Sequence, residues 1–166
     1  MKDRAFALGL GGNSGDVEKT FSSCLSRLSS HPLTVGIRIS PLYSTSPWGG
    51  VGESPYLNGV VCGFWKGSDL ELLKLCRNLE ISAGSSVEKN SGDRALDLDI
   101  LFLEGGVSTP EMVLPHPRMA LRRFVLVPLA DLWKLPVPGL GLTPDEMLER
   151  VIDSGSVIFH SMPDAL

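Results

Sequence analysis

From Ala5 to Gly11 every residue is apolar or glycine, which predicts a buried strand closed by the turn residues Gly11-Gly12-Asn13-Ser14-Gly15-Asp16. Val17, Phe21, Cys24, Leu25 and Leu28 then recur at helical spacing, so a helix follows with a single apolar stripe. Ser14 or Asp16 is placed to cap its free amides, and Pro32 stops it. Leu33, Val35, Ile37 and Ile39 alternate with Thr34, Gly36, Arg38 and Ser40, the period of a half-buried strand. A Ser/Pro/Gly-rich loop runs from Ser44 to Pro55, and Tyr56 to Trp65 resumes as a strand despite Gly59 and Gly63. Ser68-Asp69-Leu70-Glu71 is a capping box opening a helix with Leu72, Leu73, Cys76, Leu79 and Ala83 on its inner face. After a second loop, Gly84 to Asp93, a strand is predicted from Arg94 to Leu103. Pro110 to Pro117 is turn-rich, and two helices follow, about Phe124 to Trp133 and Asp145 to Ile152.

Strand, helix, strand, strand, helix, strand is the order of a ferredoxin-like α+β fold. The expected architecture is a βαββαβ core with an antiparallel sheet and C-terminal helical additions. No repeat or composition shift divides the chain, so residues 1–166 read as one domain.

Composition narrows the function classes. With 19 acidic against 15 basic residues the formal net charge is −4, which argues against generic nucleic-acid binding. No apolar run approaches the length of a membrane span, and Met1-Lys2-Asp3-Arg4 leads directly into a strand with no signal-peptide pattern. The cysteines, Cys24, Cys62 and Cys76, are odd in number and lack close spacing, as expected of a cytoplasmic protein rather than a disulfide or zinc scaffold. A dinucleotide fold would need glycine where Ser14 stands, and no phosphate-loop kinase motif occurs.

The strongest chemical signal is Asp97-Leu98-Asp99. Alternate strand residues share a face, so the two carboxylates point one way, roughly 6.5–7 Å apart at the backbone, while Leu96, Leu98, Ile100 and Phe102 point into the core. Such a pair suits a hard cation, or two cations bridged by the phosphates of a substrate, since Mg²⁺ favours one or two carboxylates plus substrate oxygens.

The surrounding segment, Arg94-Ala95-Leu96-Asp97-Leu98-Asp99-Ile100-Leu101, resembles the signature of the hydroxymethyldihydropterin pyrophosphokinases. Leu8-Gly9-Leu10-Gly11-Gly12-Asn13-Ser14-Gly15-Asp16 is similar to the opening motif of that family. Tyr43-Ser44-Thr45-Ser46-Pro47-Trp48-Gly49 followed by Tyr56-Leu57-Asn58 is similar to its pterin-side segment. Leu114-Pro115-His116-Pro117-Arg118-Met119, Arg122 and Phe124 to Leu129 resemble its late segment, so the likeness covers roughly residues 5 to 133.

The resemblance implies transfer of the terminal pyrophosphoryl unit of ATP to 6-hydroxymethyl-7,8-dihydropterin, releasing AMP, in folate biosynthesis. By position, Asp97 and Asp99 would ligate two Mg²⁺ ions, and Arg94 would meet phosphate oxygens. Thr45, Asn58 and backbone near Trp48 would bind the pterin edge, with Tyr56 and Phe124 stacking on its ring. Glu80, Ile100, His116 and Arg122 would line the nucleotide site. The implied partners are these two small molecules, with no nucleic acid and no membrane.

One stretch departs from the family. The loop before the Asp97 strand is Arg-rich in those enzymes, whereas here it reads Gly84-Ser85-Ser86-Val87-Glu88-Lys89-Asn90-Ser91-Gly92-Asp93, with Ser85 and Val87 where arginines are expected. Gly12 also stands where the family has serine. A second reading therefore stays open, a weakly active or non-catalytic paralogue that binds pterin or nucleotide. Arginine at positions 85 and 87 is expected to raise turnover.

Overall fold

The computed structural model of the chain describes residues 2–45, 54–85 and 93–164. Strand β1 (Arg4–Gly12) leads through the turn into α1 (Val17–Ser30), where Asp16 rather than Ser14 is the cap, its Oδ1 accepting from Lys19 N at 3.1 Å. Strands β2 (Thr34–Ile39) and β3 (Leu42–Thr45) both pair with the long β4 (Tyr56–Trp65). They are two strands rather than one because Pro41 has no amide to give and Ser40 turns its hydroxyl to accept Val60 N at 2.9 Å. The capping box forms as the residues predict, with Glu71 N donating to Ser68 Oγ and Ser68 N to Glu71 Oε2, and opens α2 (Asp69–Ser82).

Strand β5 (Asp97–Leu103) completes the core, followed by a small hairpin of β6 (Val107–Ser108) and β7 (Val113–Leu114), a 3-10 turn at Met119–Leu121, α3 (Arg123–Leu132) and α4 (Pro144–Arg150). A last strand, β8 (Val157–Ser161), adds to the free side of β3. The main sheet runs β5-β1-β4-β3-β8, with antiparallel pairings throughout, which is the ferredoxin-like order extended by one strand.

Strand β1 is apolar from Ala5 onwards because both of its faces are packed against other elements. Phe6, Leu8 and Leu10 pack with Phe21, Leu25 and Leu28 of α1 and Leu72, Cys76 and Leu79 of α2. Ala5 and Ala7 face the other way, into a second core with Val60, Cys62, Val125, Leu126 and Leu129. The small residues of β1 let α3 lie close to the sheet. All three cysteines are buried free thiols, and burial pushes Cys24 and Cys62 up to about 12.

Four expectations change. Ser44 and Thr45, expected in a loop, pair with Leu57 and Tyr56 as the end of β3. The strand expected from Arg94 starts at Asp97, because the backbone of Arg94 is bonded to Asn13 instead of to the sheet. Phe102 does not share a face with Leu98 and Ile100. Pairing shifts from Ala7↔Phe102 to Leu8↔Ile100, so Leu101 is an extra residue and Phe102 turns into the α3 core. The tail holds β8 in addition to its helix, which ends at Arg150. Among the described residues no helix is long and apolar enough to cross a membrane.

Candidate active site

Because the bulge falls beyond Ile100, the parity of the first half of β5 is intact. Leu98 and Ile100 pack towards α1 and α2, leaving Asp97 and Asp99 together on the opposite face, both half-buried. Opposite them β1 presents only Gly11 and Gly9, and beyond Gly11 stands Asn58 of β4. The floor between the carboxylates and Asn58 therefore carries no side chain from β1.

The outer edge of β5 is occupied by single contacts rather than by a strand. Leu98 N donates to Glu80 Oε1 at 2.7 Å, and Leu101 O accepts from His116 N at 2.7 Å. These bonds bring α2 and the segment after β7 to either side of the carboxylates. A cavity of about 400 Å³ opens between them, lined by Glu80, Asp97, Asp99, Ile100 and His116 among others. It also takes in Arg77 and Met112, which the sequence alone does not single out. Arg77 lies three residues before Glu80 on α2, the one local signal that would have found it.

The two arginines divide the acids between them. Arg94 Nη1 lies 2.7 Å from Asp97 Oδ1, and Arg122 Nη1 lies 3.8 Å from Asp99 Oδ2. Arg94 is held by the glycine-rich turn: Asn13 N and Ser14 N donate to its carbonyl at 2.9 and 3.1 Å, and its own amide donates to Asn13 Oδ1 at 2.8 Å. The approach is tight, since a Cβ on Gly12 would sit 2.8 Å from the carbonyl oxygen of Ala95. Ser85 supports the same strand end, its Oγ donating to Leu96 O at 2.6 Å and accepting Leu96 N at 3.1 Å.

His116 sits where its charged form is disfavoured. Burial, with Arg122 and Arg118 adding to it, pushes its imidazole below the usual range against the opposing pull of Asp99. Its Nδ1 accepts from Arg118 N at 3.1 Å, which assigns the proton to Nε2 and leaves that nitrogen a donor.

On the other side of Gly11, Asn58 and Thr45 are buried and joined by Asn58 Nδ2 donating to Thr45 Oγ1 at 2.6 Å. Tyr56 is the register partner of Thr45 and is half-buried. Phe124, at the start of α3, lies under the Arg122 guanidinium, 5.6 Å from ring centre to Cζ. Trp48 lies outside the described residues, as do Val87 and the loop around it.

Among the described residues there is no group of three or more acidic, histidine or cysteine side chains able to hold a metal by themselves. Two carboxylates on one strand face are nevertheless the donor set Mg²⁺ uses when substrate phosphates and water supply its other ligands.

The chain is similar to known proteins over most of its length. The chain is 37% identical over 152 residues to 2-amino-4-hydroxy-6-hydroxymethyldihydropteridine pyrophosphokinase of Methylorubrum extorquens, covering 89% of this chain and 94% of that one. It is 35% identical to the proteins of the same name from Bacillus subtilis, over 75% of each chain, and from Porphyromonas gingivalis, over 80% of this chain and 97% of that one. Residues 7–134, the span that holds both halves of the cleft, match the 7,8-dihydro-6-hydroxymethylpterin-pyrophosphokinase family, and the chain belongs to that family.

Proposed function

We propose that the chain transfers the terminal pyrophosphoryl unit of ATP to 6-hydroxymethyl-7,8-dihydropterin, releasing AMP, with Asp97 and Asp99 as the ligands of two Mg²⁺ ions. The observation that carries the assignment is the pair of half-buried carboxylates at the edge of the 400 Å³ cavity, with Asn58 on the far side of Gly11. Bound there, Mg²⁺ would screen the triphosphate and align it for in-line attack on the β-phosphorus.

The residues divide the remaining work. Glu80, Ile100 and His116 line the cavity for the nucleotide, where the Nε2 proton of His116 is a donor to a phosphate or base acceptor. Arg94 and Arg122 stand against the carboxylates, from where they would orient phosphate oxygens. Thr45 and Asn58 are polar, buried and already paired, which suits them to the hydrogen-bonding edge of the pterin. Tyr56 and Phe124 offer flat faces to its ring. Attack by the hydroxymethyl oxygen breaks the bond between the β-phosphorus and the oxygen bridging to the α-phosphate, and AMP leaves with that oxygen.

Nothing observed favours the binding-only alternative. The test is an assay with ATP, Mg²⁺ and the reduced hydroxymethylpterin, scored by AMP and pterin diphosphate. Formation of both, abolished by chelation of divalent metal, is the expected result. AMP without pterin diphosphate, or full activity in chelator, would reject the proposal.

A further inference from the structure

Helix α3 starts without a cap of its own. Arg122 occupies the cap position and makes no side-chain bond to the first turn, whose amides need acceptors. The acceptor comes from far along the chain. Asp153, in the segment between α4 and β8, takes Arg123 N on Oδ2 at 3.0 Å and Gly155 N on Oδ1 at 2.8 Å. Two residues after Gly155, β8 begins at Val157, and the register partner of Val157 is Thr45.

The run from Asp153 to Val157 therefore ties together two pieces of chain that nothing in the sequence places side by side. One is the first turn of α3, which carries Phe124; the other is the end of β3, which carries Thr45. We propose that Asp153 is a positioning residue for pterin binding, fixing the distance between the aromatic wall on α3 and the polar edge on β3 without touching the substrate. The inference rests on the reading of Thr45 and Phe124 as pterin residues. It is carried by the doubly bonded carboxylate and by the short connection to β8.

Four variants test it: Asp153→Ala, Asp153→Asn, Phe124→Ala and Ser68→Ala. Ser68→Ala removes a helix cap of the same kind, at the start of α2 and away from the cleft. Each is titrated with the hydroxymethylpterin in the presence of Mg²⁺ and a saturating non-hydrolysable ATP analogue, and separately with the analogue alone. Asp153→Ala is expected to weaken pterin binding about fivefold, the scale of a lost cap, with analogue affinity unchanged. Asp153→Asn, which keeps one acceptor oxygen, falls between it and the parent. Ser68→Ala lowers the melting temperature to a similar degree yet leaves pterin affinity alone.

The inference is overturned if Asp153→Ala weakens pterin no more than Ser68→Ala does, or weakens both ligands alike. Should Asp153→Ala fail to fold, Asp153→Asn decides by the same comparison. If Phe124→Ala leaves pterin affinity at the parent value, the assignment of the pocket itself has failed and the inference falls with it. A loss in Phe124→Ala without one at Asp153 rejects the inference alone.

Discussion

Asn58 and Asp97 are both register partners of Gly11, one on β4 and the other on β5. The backbones that carry the buried amide and the half-buried carboxylate are thus two strand spacings apart, about 10 Å, with no β1 side chain between them. In the proposed reading the pterin ring edge would meet Asn58 and its hydroxymethyl arm would point towards Asp97.

Gly11→Ala closes this interval. The added Cβ would lie 3.2 Å from Asn58 Oδ1 and 4.0 Å from Asp97 Cβ, and Asn58 is pinned by its bond to Thr45. Overpacking of this kind costs about 1–3 kcal/mol, so pterin KM should rise about tenfold or more while ATP KM changes little. Steady-state kinetics with each substrate varied in turn measure the split; equal changes in both would show that the glycine serves only the fold.

Asp97→Ala and Asp99→Ala should each lower kcat by at least about a hundredfold, because a catalytic metal supplies several kcal/mol of charge stabilisation. Both side chains are half-buried on the cleft face rather than packed in either core, so the fold should persist. Circular dichroism with a Mg²⁺ titration of the residual rate separates loss of metal from loss of structure. Near-parent AMP formation in either variant would remove that residue from the metal site.

His116 gives a pH dependence with a definite sign. Its imidazole is depressed below the ordinary value of 6.5 by burial and by Arg122 and Arg118. Between its unfolded and folded pKa values the unfolded chain holds the extra proton, so stability is fully present above about 6.5. It is lost as pH falls through the folded value. Melting temperatures from pH 8 down to pH 5 should fall less steeply in His116→Gln than in the parent. Parallel curves would mean that the imidazole titrates normally.

Legibility from sequence followed the range of the interactions. The stripe of α1, the capping box of α2 and the shared face of Asp97 and Asp99 depend on neighbours a few residues away, so local period reveals them. The Leu101 bulge does not, because it is set by how β1 pairs. Strand β8 is equally hidden: Ile158 and Phe159 are adjacent and both exposed, so no alternation marks it. Met112 reaches the candidate site, and Asp153 its bond to Arg123, only through tertiary packing.

Ser85 changes the expected response of the loop to arginine. By family resemblance, arginine at both 85 and 87 would restore cations to the phosphates, and arginines at a phosphoryl-transfer centre are worth about 10³–10⁵ in rate. Yet Ser85 Oγ bonds both the amide and the carbonyl of Leu96, the residue next to Asp97. Ser85→Arg gives up two hydrogen bonds, each worth about 1 kcal/mol, and loosens the strand end that holds the carboxylate. The gain in charge at position 85 is thus offset by a loss of metal-site order, an offset that arginine at 87 does not incur through this contact. Val87→Arg alone should therefore raise AMP formation above the parent and above the Ser85→Arg/Val87→Arg double variant. A double variant faster than the single would show that the Ser85 tether is dispensable and that charge alone limits the rate.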